Sequence, residues 1–578
     1  MKILLVHSDF IEWEPKKKAV PMAEETKGKK RVTEALVAFT AVEKEDEQDP
    51  GKIVQESAKQ ILDVFRQVKA ERVVLYPYAH LSSDLAQPSV ALNVLKDMEK
   101  ALKGKVQVVR APFGWYKAFS LKCKGHPLSE LSKSISVKPV KEGAKAPSAS
   151  REHKPPESEG KIDPHQLLRE ISRPNLDREL LKENDHRILG QRMDLFSFSD
   201  GAPGMVFWHD KGWILFNELV DYWREEHRKA GYQEISSPLV LDKKLWQVSG
   251  HWEKYRENIF LTEYEKRDFA VKPMNCPGAM LIYKTNPRSY RDLPLRMAEL
   301  GIVHRHELSG VLSGLFRVIK FTQDDAHIFC TEEQLESEIA GVIEMTDRLY
   351  KKFGFEYHTE LSTRPEKRIG TDKQWTRAER ILEGVLKKKR MAYKVNKGEG
   401  AFYGPKIDFH IKDSLGRTWQ CATLQLDFAM PERFEVTYAG EDNKPHTPAT
   451  LHRTIYGSVE RFIGVLLEHY NGSLPVWLAP VQVRVMSFTE RNNPAAKKAW
   501  EKLVHGGIRA ELDLENRTLE HKVREAELQK IPYMLVIGDR EEKDKTVAVR
   551  TRGQKGVQFG VKLEDFQEKV LEEIRERK

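Results

Sequence analysis

At 578 residues the chain is too long for one hydrophobic core, and length alone predicts three or four domains. Its 96 basic and 87 acidic residues leave a net charge of +9 and a pI near 9.0, which favours an anionic partner such as nucleic acid but excludes a purely basic tail. Cys123, Cys276, Cys330 and Cys421 have no paired spacing, which argues against a disulfide framework and for a reducing, cytosolic compartment. The opening MKILLV is too brief an apolar run for a signal peptide, and no uncharged stretch reaches transmembrane length.

Residues 1–136 read as a small α/β or α+β unit. ILLV and RVVLYPYA have strand character, and Ile53, Ile61, Leu62, Phe65 and Val68 recur at helical spacing between them. His80 follows a strand end, and APFGWYKAF sets Tyr116 and Lys117 among aromatics, where burial would lower the lysine's pKa. A lysine that merely snorkels past Trp115 is the alternative. Residues 137–160 are rich in Pro, Lys, Glu and Ser with almost no large apolar side chain, so a flexible linker is expected.

A large domain is expected over 161–478. Trp213 to Lys229 is helical in pattern, and EISSPLVL reads as a strand broken by Pro238, which suits an edge or an interface. Leu335, Ile339, Val342, Thr346, Leu349 and Phe353 form the apolar stripe of a covering helix. Two strands around a Ser-Leu-Gly turn follow, and HRTIYGSVERFIGVLLEHY continues into an amphipathic helix carrying Arg461. Residues 479–578 alternate strand and helix, as a compact α/β domain does.

The chemistry concentrates in IVHRHELSGVLSGLFRVIKFTQDDAHIFC, residues 302–330. If both arms are extended, Arg305 and Glu307 share one face, and Arg317, Gln323, Asp325 and His327 share one face of the return arm. Ser309 to Gly314 would be a mobile, glycine-containing tip. A surface hairpin with solvated charges is the alternative, but so many inward polar groups beside apolar neighbours require a ligand or one another. Two guanidinium forks suit a polyphosphate and a carboxylate, so the wall points to a nucleotide.

Cys276, His327 and His452 are candidate metal ligands of N and S type, a set that with an open fourth position is characteristic of catalytic zinc. Cys330, at an odd offset from His327, faces the opposite side and is excluded, whereas Asp325 shares the histidine's face. Two core histidines and a buried cysteine are the alternative.

These stretches resemble the archaeal form of the threonyl-tRNA synthetases, a family of class II aminoacyl-tRNA synthetases. EISSPLVL is similar to the first class motif, VHRHE…FRVIKF to the second and GSVERFIGVLLEHY to the third, while KPMNCPG, QDDAHIFC, FYGPKIDF and LQLDF are more specific to the family. The resemblance implies a multidomain α+β and α/β protein: a class II antiparallel-sheet core, a deacylase-like N-terminal editing domain and a C-terminal α/β anticodon-binding domain. It implies Arg305, Arg317 and Arg461 as catalytic charges, with Arg305, Glu307, Arg317, Gln420 and Arg461 holding ATP. Met274, Asp325, Tyr403 and Gln425 would line the threonine site, Cys276, His327 and His452 would hold one Zn2+, and His251 and Lys406 would lie near the tRNA 3′ end. His80, Ala91, Tyr116, Lys117 and Glu130 fall on editing positions, and Asn516, Glu541 and Arg550 on anticodon-reading positions. Two positions depart from the common pattern, His306 after the motif-two arginine and Lys530 where an arginine is frequent. The implied partners are tRNA(Thr), ATP with Mg2+, L-threonine and a second copy in a homodimer, with no membrane.

Two sites have a physical rationale. A pocket that reads a hydroxyl through a metal rejects valine by about 10⁴ or more, whereas serine differs by one methyl, worth roughly 1–3 kcal/mol, and so requires hydrolytic editing. A relative specific for proline or serine, and a non-catalytic tRNA-binding paralogue, are the competing readings. The metal trio argues against the first and the intact arginines against the second.

Overall fold

The protein is described here by a computed structural model covering residues 1–135 except 21, 27, 83 and 126–128, residue 168, and residues 181–578 except 414 and 415; the side chains of residues 80, 130, 132, 134 and 254 are outside the description. The expected linker, 137–160, therefore lies outside the described residues. The chain divides into two compact units, Met1–Arg151 and Glu152–Lys578.

The first unit is built on β1 (Lys2–Lys18), a strand far longer than its ILLV start, and β2 (Lys30–Ala41), which pairs antiparallel with it. There follow α1 (Pro50–Val68), β3 (Arg72–Pro77), α2 (Pro88–Lys103), β4 (Gln107–Arg110), β5 (Trp115–Cys123) and β6 (Glu130–Ser134). The sheet order is β4-β3-β2-β1-β5, with β6 pairing the first half of β1 and β5 the second. Because strand side chains alternate, Ile3, Leu5, Leu36 and Ala38 meet Ile53, Ile61 and Met98 of the two helices. The opposite face carries Trp13, Phe39 and Tyr76, against which Tyr78 packs. Asp49 caps α1 by accepting the Lys52 N–H at 3.1 Å.

The second unit runs through α3 (His186–Arg192), α4 (Asp210–Lys229), β7 (Gln233–Glu234), α5 (Cys276–Tyr283), β8 (Leu295–His304) and β9 (Lys320–Cys330). It continues with α6 (Leu335–Lys352), β10 (Glu356–Ser362), β11 (Tyr393–Asn396), β12 (Lys406–Lys412), β13 (Thr418–Asp427), β14 (Ala449–Thr454) and α7 (Val459–His469). Its eight strands lie in the order β11-β10-β12-β13-β14-β9-β8-β7, antiparallel except for the two outermost pairs. Parity sorts the two faces. Ala326, Ile328, Leu424, Leu426, Leu451, Phe409 and Leu361 point to the core under α6 and α7, and the alternate face carries the polar groups beside a second apolar cluster around Met297 and Phe329. As the apolar stripe predicts, Leu335, Ile339, Val342, Thr346 and Leu349 are all buried. Pro238 separates β7 from the short strand Val240–Asp242, and Leu239 and Val240 stay 40% and 45% exposed.

At the carboxyl end, β15 (Val483–Ser487), α8 (Asn493–His505), β16 (Ala510–Asp513), α9 (Leu519–Leu528), β17 (Tyr533–Ile537), β18 (Thr546–Thr551), β19 (Val557–Lys562) and α10 (Leu563–Arg575) form a sheet of order β16-β15-β17-β18-β19. It has its own core around Val485, Leu503, Leu535 and Phe566. It is nevertheless tied to the rest of the unit: Arg509 meets Glu218 at 2.5 Å, and the Arg577 guanidinium lies over Tyr222 at 4.5 Å.

Candidate functional site

A single row of strand partners explains why distant residues meet. Register places Lys406 opposite Gln425, Gln425 opposite His452, His452 opposite His327 and His327 opposite Met297. Above this row opens a cavity of about 530 Å3, lined by Arg305, Glu307, Arg317, Gln420 and Arg461 at one side and by Met274, Cys276, Asp325, His327, Tyr403, Gln425 and His452 at the other.

The arginines do not lie where the extended arms would place them. β8 ends at His304 and β9 starts at Lys320, so Arg305, Glu307 and Arg317 stand on the connecting loop. They reach the same cavity because the Arg305 N–H donates to Ile319 at 2.9 Å and the Ser313 N–H to Arg317 at 3.1 Å, which prolongs the hairpin. Arg317 forks onto Glu307 with Nε and Nη2 at 3.1 and 2.8 Å, and Arg461 Nε donates to the Phe316 carbonyl at 2.8 Å. Nor is the loop wholly free. Gly314, at φ +49, lets it press against His186, and a Cβ there would come 2.2 Å from Nε2.

The ligating atoms of Cys276, His327 and His452 lie within 4.8 Å of one another, and all three residues are buried. His452 Nε2 meets Asp427 at 3.0 Å, which leaves Nδ1 buried without a hydrogen-bond partner; His327 Nδ1 is in the same state. Unpaired buried ring nitrogens beside a thiol are costly unless a metal takes them. Against the cost of burial, Cys276 and Asp427 push His452 up to about 10, so the site draws positive charge, while burial and His452 hold His327 well below its ordinary range. The residues present therefore fit a zinc ion. Cys330 points into the opposite core, as its odd offset requires.

Asp325 accepts from Asn275 Nδ2 at 2.7 Å, and burial pushes its carboxyl up to about 6. Tyr403 hydrogen-bonds Gln425 directly. Two expected neighbours do not line this cavity. His251 is fully buried behind Phe402 and Tyr403 with Nδ1 on Ser249 Oγ at 2.8 Å, and Lys406 pairs with Asp408 at 2.7 Å.

Sequence reasoning missed Asp324 and His186. Asp324 faces the core side, where its carboxylate accepts the backbone N–H groups of Ile455, Tyr456 and Gly457 at 2.8–3.0 Å and so shapes the turn into α7. The signal was present: beside Asp325, the other acid of the pair must point into the core, and a buried carboxylate there requires donors. For His186 no pattern in the sequence gives a link to the loop 129 residues away.

In the first unit a cavity of about 590 Å3 is lined by Ala91, Tyr116 and Lys117, with Tyr76, Tyr78 and Phe119. Lys117 Nζ donates to the carbonyls of Pro112 and Trp115 at 3.1 and 3.2 Å and lies over the Tyr76 ring, and burial lowers its pKa to about 8. The side chains of His80 and Glu130 lie outside the description. At the carboxyl end Asn516 is exposed and Arg550 half-buried on β18, whereas Glu541 is buried and accepts the Gly538 N–H at 3.1 Å.

Comparison with known proteins fits this geometry. Residues 1–135 match the family model described as the archaea-specific editing domain of threonyl-tRNA synthetase, residues 260–470 the tRNA synthetase class II core domain (G, H, P, S and T), and residues 482–573 an anticodon binding domain. The chain is 58% identical over 396 residues to a threonine–tRNA ligase of Caldanaerobacter subterraneus, covering 68% of this chain and 61% of that protein. It is 55% identical over 399 residues to one of Acetivibrio thermocellus, with 69% and 63% covered. It thus spans less than two thirds of the length of these curated relatives. A solved structure of the RNA binding domain of threonyl-tRNA synthetase from Cryptosporidium parvum superimposes with a TM-score of 0.65 at 41% identity, covering 67% of this chain and 98% of that one.

Proposed function

We propose, because the chain belongs to the threonyl-tRNA synthetase family, that it activates L-threonine with ATP, transfers the threonyl group to tRNA(Thr), and hydrolyses mischarged seryl-tRNA(Thr) in its N-terminal unit. The observation that carries this reading is the convergence of three arginines and the Cys276, His327 and His452 trio on one cavity. In the first step a threonine carboxylate oxygen attacks the α-phosphorus of ATP and the bond to the departing diphosphate breaks; in the second a terminal hydroxyl of the tRNA takes the acyl group and AMP leaves. Neither step needs a covalent link to the protein, so the chain contributes positioning and charge.

Arg305 would hold the α-phosphate and the amino-acid carboxylate, Glu307 the adenine end, and Arg317 and Arg461 the outer phosphates, with Gln420 on the same wall. Magnesium would accompany the nucleotide. Cys276, His327 and His452 would hold zinc, which when bound supplies an open coordination position for the amino and hydroxyl groups of threonine. Asp325 would accept the threonine hydroxyl, oriented for this by Asn275, while Met274, Tyr403 and Gln425 would close the pocket. His251 would act from behind that wall and Lys406 beyond it, towards the tRNA 3′ end.

We place the editing domain at 1–136, a linker at 137–160, the catalytic domain at 161–478 and the anticodon-binding domain at 479–578. His80, Ala91, Tyr116, Lys117 and Glu130 would form the editing pocket, and Asn516, Glu541 and Arg550 would read the anticodon. A homodimer through the segment around Pro238 accords with the exposed Leu239 and Val240. A cytoplasmic location is part of this reading; among the described residues no helix is long and apolar enough to cross a membrane. Incubating the full chain with tRNA(Thr), ATP, Mg2+ and threonine should yield threonyl-tRNA, AMP and diphosphate; no charged tRNA under conditions that charge it with a known ligase would refute the reading.

A further inference from the structure

The polar face of the large sheet uses one device twice. His327 and His452 stand directly opposite each other on β9 and β14, 4.9 Å between ring centroids, with Cys276 as a third donor. Two strands further out on the same face, His358 of β10 stands directly opposite His410 of β12, again with 4.9 Å between rings, and Glu360 lies two residues along β10. Parity is unambiguous: Tyr357, Phe409 and Ile411 belong to the core side, so their alternates His358, Glu360 and His410 share the polar face.

We propose that His358, Glu360 and His410 form a second transition-metal site. Their ligating atoms lie within 4.8 Å of one another. One Glu360 oxygen is 3.4 Å from His358 Nε2 and the other 3.4 Å from His410 Nε2. Bond lengths of about 2.1 Å to nitrogen and oxygen give a tetrahedral edge of about 3.4 Å, and each imidazole stands at that separation from one of the two carboxylate oxygens. From β11, which pairs with β10, Asn396 Nδ2 donates to the Glu360 oxygen that faces His410, and Lys394 approaches the other oxygen at 3.9 Å.

Two imidazoles and one carboxylate select a borderline divalent ion such as Zn2+, Co2+ or Ni2+ over Mg2+ or Ca2+, which take oxygen ligands. The side chain of His358 is 48% exposed, so a fourth position faces water. An ion there would cross-link β10 and β12, the latter being the strand that carries Lys406 beside Gln425. Solvated side chains that merely pair with one another are the opposing account, and stoichiometry separates the two.

Titration of the metal-free full chain with Co2+ resolves the sites. The site of Cys276 has a thiolate and gives a sulfur-to-cobalt charge-transfer band, whereas a site of two imidazoles and a carboxylate gives ligand-field bands alone. The wild type should bind two equivalents, only the first with the charge-transfer band. H358Q, E360Q and H410Q should each weaken the second equivalent by at least about tenfold and leave the first intact, which also reports that the variant has folded. A wild-type titration that stops at one equivalent overturns the proposal, and so does a second equivalent that keeps its affinity in either histidine variant.

Discussion

His186 Nε2 accepts the backbone N–H of Leu315 at 2.9 Å, so a residue at the start of α3 holds the loop that carries Arg317. The tautomer is set from the other side, where Nδ1 donates to Glu468 at 2.7 Å, and the ring packs on Phe316 with centroids 4.2 Å apart. Leaving a buried donor unpaired costs about 1–3 kcal/mol, so His186→Ala should raise the KM for ATP by about 5- to 150-fold. The KM for threonine should change less, since His186 clamps the loop at Leu315, beside Arg317, while Arg305 is tied separately to Ile319. An unchanged ATP KM would show that the loop holds its shape without the clamp.

If the trio holds zinc as proposed, replacing Cys276 by Ser should abolish zinc binding and threonine activation, because Cys276 is the one sulfur donor beside two imidazoles at that site. Elemental analysis alongside activity decides it. A metal-free variant that still activates threonine would separate the ion from the chemistry.

Much of this site was legible because strand parity is local. Offsets along β9 put Asp325 and His327 on one face and Cys330 on the other without knowledge of any partner strand. The same arithmetic failed at Arg305, Glu307 and Arg317: the sequence carries no mark of where β8 stops, and the turn Ser313–Leu315 is fixed by His186, remote in the chain. Asp324 was overlooked for a related reason, since its donors are backbone groups of residues 455–457, which no side-chain pattern announces. In the first unit ILLV marked only the beginning of β1, whose later part, IEWEPKKK, mixes charged and apolar residues where it pairs with β5 and runs on beyond its last β2 partner at Trp13.

Lys117 lies in the N-terminal cavity with a pKa lowered to about 8 by burial. If its ammonium orients the seryl ester or the attacking water, Lys117→Met should let seryl-tRNA accumulate while threonine charging stays intact. The sign of the pH dependence follows from the charge: the cation is present below about 8 and lost above it, so deacylation by the wild type should fall as pH rises through that value. Equal seryl-tRNA accumulation in wild type and variant would remove Lys117 from the mechanism.

Arg550 sits half-buried on β18, away from the catalytic cavity. Arg550→Ala should cost roughly 1–3 kcal/mol in tRNA recognition if it meets a base edge, and discriminate anticodon variants, while adenylate formation is unaffected. A point substitution is the sound probe here. Arg509 reaches back to Glu218 and the Arg577 guanidinium lies over Tyr222 and Trp477, so removing everything after 478 would break packing as well as recognition. Uniform weakening across anticodon sequences would mark Arg550 as a phosphate contact.

In the proposed function one cavity joins a nucleotide wall to a metal-dependent pocket for a hydroxyl-bearing amino acid. Amino-acid-dependent exchange of diphosphate into ATP, run with threonine, serine, valine and proline, tests it most directly. Threonine should support exchange, serine should do so less efficiently, and valine and proline should give only background. Exchange with valine or proline matching that with threonine would rule out a pocket that selects the hydroxyl.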